Sequence, residues 1–154
     1  MPEEFRRALG HAVRLLRYRE RSRKELAFRL GKKGHGPEVV QEVLEFLDEQ
    51  GLLDDARWAR TLRGRAEDVR LLGEAGARRY LEAMGIGSGD AREALEAYDE
   101  QGVARRLVQR ERRRMAHLPE GVRKRRILGS LRRRGFSSRS ARRALREDIE
   151  EEDE

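Results

Sequence analysis

Gly34, Gly85 and Gly135 stand 51 and 50 residues apart, and the residues around them repeat with them. Four positions before each glycine lies a leucine (Leu30, Leu81, Leu131), and eight before lies an aliphatic residue (Leu26, Ala77, Ile127). Six after come Val40, Ala91 and Ala141, and nine and ten after come Val43 with Leu44, Ala94 with Leu95, and Ala144 with Leu145. These last three positions form an i, i+3, i+4 stripe, the apolar face of a helix, and the leucines ahead of each glycine mark a helix that the glycine ends. A pattern that returns three times describes one supersecondary piece stacked on copies of itself. The expectation is an all-α fold of three tandem three-helix repeats, at residues 5–51, 52–102 and 103–149, in an elongated, curved array whose repeats each bury a narrow core. Composition agrees. Val, Ile and Thr number 12 in 154 residues, which starves any sheet, and 37% hydrophobic against 42% charged residues is too little apolar material for a thick spherical core.

Local signals place the helices of the first repeat. Ala8, Leu9, Ala12, Val13, Leu15 and Leu16 recur at helical spacing. Ser22 and Glu25 read as a capping box, the serine taking one free amide and the glutamate another, ahead of Leu26 and Leu30. Gly34 stops that helix, and Gly36 and Pro37 sit at the cap and first turn of the next, which ends near Gly51. Asp54 and Asp55 resemble the paired carboxylates of a metal-dependent nuclease, but adjacent aspartates at a helix start are better read as an N-cap and a dipole partner. Trp58, facing Ala59 and Leu62, is expected to anchor packing between the first two repeats. Arg57 either pairs with Asp54 or faces a partner.

Other chemistry is sparse. The glycine-rich run 85–89 lacks the lysine and preceding strand of a nucleotide loop, and its counterparts at Gly34 and Gly135 are plain turns. His11, His35 and His117 have no metal-binding spacing, and the chain has no cysteine. No catalytic residue, metal or cofactor is expected. The opening MPEEFRR has no apolar signal core and no apolar run approaches membrane-spanning length, so a cytoplasmic protein without membrane contact is expected.

Charge is distributed steeply. The net +7 conceals residues 103–146, with seventeen Lys/Arg against two Asp/Glu, a net +15, followed by seven acids in the last eight residues. A polycation of this density calls for a polyanionic partner. The candidate contacts are Arg112, Arg113, Arg123, Lys124, Arg125, Arg126, Arg132, Arg133 and Arg134, with Lys32, Lys33 and Arg57 from the first repeat and its border. Consecutive residues of a helix point in different directions, so only part of each run can face one ligand. The acid run from Glu147 to Glu154, whose residues 150–154 form the acidic tail, either competes with nucleic acid for the basic third or only solubilises the chain.

Two motifs carry a family resemblance. Glu20, Arg21, Ser22, Glu25 and Leu26, followed by Leu30 and Gly34, and then Leu53, Asp54, Asp55, Arg57, Trp58 and Ala59, resemble the RecX family of bacterial recombination regulators. The resemblance is specific over residues 12–60 and weaker beyond, where the turn glycines Gly85 and Gly135 continue it. It implies tandem three-helix repeats and a non-enzymatic protein that binds RecA recombinase filaments on single-stranded DNA; a monomer is expected. It further implies restraint of ATP hydrolysis and strand exchange in homologous recombination, DNA repair and the SOS response. Where the family commonly places a basic residue before the turn glycine, the middle repeat has Ala83 and Met84, so that repeat reads as a spacer. A stand-alone basic helical-repeat protein that binds DNA or RNA is the alternative.

Overall fold

The structure, a computed structural model, describes residues 1–153. Among these there are nine helices and no strand. They are α1 (Glu3–Tyr18), α2 (Arg23–Lys32), α3 (Pro37–Glu49), α4 (Asp55–Asp68), α5 (Glu74–Ala83), α6 (Ser88–Ala94), α7 (Glu100–Arg114), α8 (Glu120–Arg133) and α9 (Ser138–Glu152). The chain divides into two compact units, Met1–Thr61 with Leu81–Ala94, and Leu62–Tyr80 with the chain from Leu95 onward. None of the described helices is long and apolar enough to cross a membrane.

In the first unit α1, α2 and α3 close on Ala8, Ala12, Leu26, Leu30, Val43 and Leu47, none of which touches solvent. Alanine at positions 8 and 12 lets the α1 backbone approach its neighbours closely, and Phe5 seals one end edge-on against Phe46, with ring centroids 5.9 Å apart. Truncating Leu30 or Leu47 to Ala would cost ~2–5 kcal/mol in such a core. Ser22 caps α2 as expected, its Oγ accepting the Glu25 N–H at 3.1 Å. The other half of the expected capping box is different. The Glu25 carboxylate turns to Arg19 and to Arg21 at 2.9 Å, since a guanidinium is a stronger donor than a neutral amide.

Both aspartates of the second motif cap helices. Asp54 Oδ1 accepts the Arg57 N–H at 3.1 Å and starts its own helix, α4. Asp55 Oδ1 accepts the Arg23 N–H at 2.8 Å and so serves α2, a bond the dipole reading of this residue did not contain. Trp58 is buried at 2% exposure.

In the second unit α7 and α9 form the main contact, and their Val103, Ala104, Leu107, Ala141, Ala144 and Leu145 share one core with Ile127 and Leu131 of α8. Glu100 at the start of α7 repeats the work of Asp55 and extends it. Its Oε1 accepts the Glu74 N–H at 3.0 Å, capping α5, and its Oε2 accepts from Ser137 Oγ at 3.0 Å and Ser140 Oγ at 2.7 Å at the start of α9. α6 is only seven residues, shorter than α3 and α9, because Ala97 turns the backbone into the left-handed region (φ 55°) and Asp99 begins α7 by accepting the Gly102 N–H.

The turn glycines differ in what they require. Gly34 (φ 95°) has open space where a Cβ would stand. Gly85 (φ 88°) lies against Ser22, and Gly135 (φ 82°) against the backbone of Gly76, so that a Cβ on either would overlap its neighbour. Beside the second of these, the Gly73 N–H donates to the Arg134 carbonyl at 2.9 Å. The turn that ends the second helix of one repeat therefore rests on the start of the second helix of the repeat before it. The acid run does not begin a separate segment: α9 carries it to Glu152, while Glu154, the last residue of the expected tail, lies outside the described residues.

Candidate nucleic-acid and partner interface

The nine basic candidates of the second unit separate into two groups. Arg112, Arg123 and Arg134 are held inward, against the expectation that they face a ligand. Arg112 is 10% exposed, with Nε 2.7 Å from Asp148 Oδ2 and Nη1 3.5 Å from Glu120. Arg123 pairs with the same Glu120 and is largely covered. Arg134 donates Nη1 to the Arg70 carbonyl and Nε to Ser130 Oγ at 3.3 Å. Burial, and then the charge of Arg110, lowers the pKa of its guanidinium from the ordinary value. Arg112 and Arg134 are held by groups from other elements of the unit and Arg123 by Glu120 of its own helix, and a paired buried charge is costly to expose. Arg110 and Arg114 likewise close over the buried carboxylate of Glu111, at 3.1 and 3.2 Å.

Arg113, Lys124, Arg125, Arg126, Arg132 and Arg133 face solvent. Arg125, Arg126 and Arg133 surround Gly129 in a shallow cleft of about 570 Å³. The Arg133 guanidinium folds over Gly129, where a Cβ would stand 3.1 Å from its Nη1, and Met115 and Val122 complete the lining. A second cleft, about 680 Å³, has Leu128, Leu145 and Ile149 as its apolar lining and Lys124, Arg139, Arg142 and Arg146 around it. The three α9 arginines were absent from the candidates read from sequence. Their spacing at i, i+3 and i+7, opposite buried Ala141, Ala144 and Leu145, is the signal that marks them as one outward stripe.

In the first unit Lys32 and Lys33 are exposed. Arg57 does not pair with Asp54 through its side chain: its Nε is 3.1 Å from Glu20 Oε1, while Asp54 takes its backbone N–H, and the residue stays exposed. His11 and His35, distant in sequence, hydrogen-bond through Nδ1 and Nε2 at 2.7 Å. Burial first, then His35 and the cations Arg14, Lys33 and Arg7, lower the pKa of His11 from its ordinary value. Among the described residues no three His, Cys, Asp or Glu side chains converge where a metal ion could sit. Asp55, raised in pKa mainly by burial, spends an oxygen on Arg23.

Residues 8–47, which span most of α1 to α3, match the family model described as RecX, first three-helix domain. The regulatory protein RecX of Halorhodospira halophila is 40% identical over 144 residues, covering 90% of this chain and 88% of its relative. The chain belongs to the RecX family. The regulatory protein RecX of Thermobifida fusca is 35% identical over 159 residues, covering 98% of this chain and 84% of the other. The crystal structure of RecX from Lactobacillus salivarius superposes with a TM-score of 0.82 at 21% identity, covering 96% of this chain and 97% of that one, so the fold is the RecX fold throughout. Relatives named regulatory proteins fit a RecX chain whose described surface offers cations and clefts.

Proposed function

We propose that this RecX-family chain is a non-enzymatic regulator that binds RecA recombinase filaments on single-stranded DNA and lowers their ATP hydrolysis and strand exchange. The observation that supports it is the outward group Arg113, Lys124, Arg125, Arg126, Arg132 and Arg133, a set of cations facing solvent beside clefts that offer apolar contact as well. Cations recruit the polyanion by counterion release, and an apolar lining offers a protein surface something that phosphate does not use. Binding neighbouring protomers at once would hold them in place or stop filament growth. The three-helix repeats are the proposed docking modules, and a cytoplasmic monomer the proposed working form.

The test is single-stranded-DNA-dependent ATP hydrolysis by the cognate recombinase, titrated with this chain while naked-DNA binding is followed in the same buffer. Suppression well below one chain per protomer, before free DNA is coated, is the expected result. Suppression only at DNA saturation would instead assign the chain as a basic helical-repeat protein that competes for the template.

A further inference from the structure

Phe28 is 64% exposed on α2, whereas Phe136 is buried and Phe5 and Phe46 pack on one another. A single exposed apolar side chain is ordinary. What surrounds this one is not: Lys24 lies four residues before it and Lys32 four after, on the same helix face, with the Lys32 Nζ 5.4 Å from the ring centroid. The chain has 32 arginines and four lysines, and three of the four, Lys24, Lys32 and Lys33, fall within this short stretch. All three are exposed. Arg29 beside them is drawn to Glu25 at 3.4 Å.

Next to the ring is an open cleft of about 390 Å³, bounded on α2 by Lys24, Phe28 and Arg29 and on the far side by Met84 and Gly85. At its inner end Gly85 packs directly on Ser22, where a Cβ would overlap the serine Oγ. Phe28 and Met84 both line the cleft, and both suit a flat π-system, since aromatic faces stack and sulfur is polarisable. Glu82 stands on the far lip and Glu25 on the α2 side, where Arg19, Arg21 and Arg29 compensate its carboxylate, so an attached phosphate is steered to the lysines. Eight residues of helix separate Lys24 from Lys32 by about 12 Å along the axis, enough for phosphates on either side of a stacked nucleotide. An acidic peptide would satisfy the lysines and leave the aromatic face unused.

We propose that Phe28 is a stacking platform for an unpaired base of single-stranded nucleic acid, with Lys24, Lys32 and Lys33 neutralising the phosphates around it. The inference takes from the proposed function only that a nucleic-acid strand comes within reach. Its experiment uses no recombinase, so filament regulation and base stacking stand or fall separately.

The measurement is fluorescence anisotropy of a labelled oligo-dT with the full chain, at one fixed salt concentration and then across a salt series. Phe28→Ala is expected to weaken binding roughly 5- to 150-fold with the salt slope unchanged, the range for losing one stacked base. Phe28→Leu is expected to weaken it comparably, and Phe28→Trp to keep it, with the new indole emission quenched by oligo-dT. Inorganic polyphosphate, which has charge and no bases, should bind Phe28→Ala and the parent equally. The side chain is exposed and alanine favours helix, so folding is not at risk. The proposal is overturned by any of four results: no oligo-dT binding by the parent, unchanged affinity in Phe28→Ala, full affinity in Phe28→Leu, or an unquenched Phe28→Trp. An equal loss toward polyphosphate or polyglutamate would overturn it too, reassigning the face to a general anion or an acidic protein.

Discussion

Asp55 caps a helix that is not its own: its Oδ1 receives the N–H of Arg23, 32 residues earlier, at 2.8 Å. Glu100 receives the N–H of Glu74 in the same way one repeat later, at 3.0 Å. In both cases the first residue of one repeat's leading helix satisfies a free amide at the start of the previous repeat's second helix, one of the donors that a helix N-terminus leaves unpaired.

Asp55→Ala is therefore expected to cost about 1–2 kcal/mol, the usual price of losing a cap, and Asp55→Asn, which keeps an acceptor, clearly less. Chemical denaturation at neutral pH measures both. Burial raises the Asp55 pKa, so in the folded chain it holds its proton to a higher pH than in the unfolded chain. Its contribution is then fully present at low pH and declines as pH rises through the folded pKa. Relative to Asp55→Asn, the parent should lose stability in that window.

Glu100 has the opposite sign. Burial works to raise its pKa, but the hydrogen bonds from Ser140, the Glu74 N–H and Ser137 outweigh that and lower it from the ordinary value. The stability it supplies is present above its unfolded pKa and is lost as pH falls through the folded one. Glu100→Gln should weaken the second unit near neutrality and flatten its acid unfolding curve, read by circular dichroism. An acid profile identical to the parent's would contradict this account.

The turn glycines separate conformational strain from collision. Gly34→Ala meets open space and bears only the left-handed backbone, about 1–2 kcal/mol. Gly135→Ala bears the same strain and also meets the Gly76 backbone, so its melting temperature should fall well below that of Gly34→Ala.

Arg112 and the pair Arg132 and Arg133 come from similar-looking runs and should behave differently. Arg112→Ala takes a guanidinium away from the largely buried Asp148 and from Glu120 and is expected to cost on the order of 3 kcal/mol while leaving the salt dependence of DNA binding in place. Arg132→Ala with Arg133→Ala should leave stability alone and reduce the slope of log affinity against log salt by roughly 1.4 on a single strand. A melt and a salt titration on each variant decide the matter.

Periodic features were readable in the sequence and pairings across distance were not. Leu30, Leu81 and Leu131 ahead of their glycines announce helix ends because core and turn both recur along the chain. Ser22 was legible because its cap closes within three residues. The caps made by Asp55 and Glu100 span 26 to 40 residues, and nothing in their local spelling names a partner. The basic runs suffer the same limit: Arg112 and Arg113 are neighbours in sequence, yet only the first is reached by Asp148 and Glu120. Arg139, Arg142 and Arg146 escaped notice because single arginines spaced along a helix look less emphatic than three in a row, although their shared face makes them the more coherent set.

α9 is wired against its own field. Arginines crowd its beginning, where the free amides carry partial positive charge, and Glu150 and Glu151 crowd its end, where the carbonyls carry negative. Packing on α7 and the Asp148 link to Arg112 oppose this, and both act on the earlier turns. Past Asp148 little compensates, so the last turn should unwind and rewind far more often than the rest, and its amides should trade hydrogen for deuterium first. The helix thus begins in cations and ends in an acidic turn that opens at small cost.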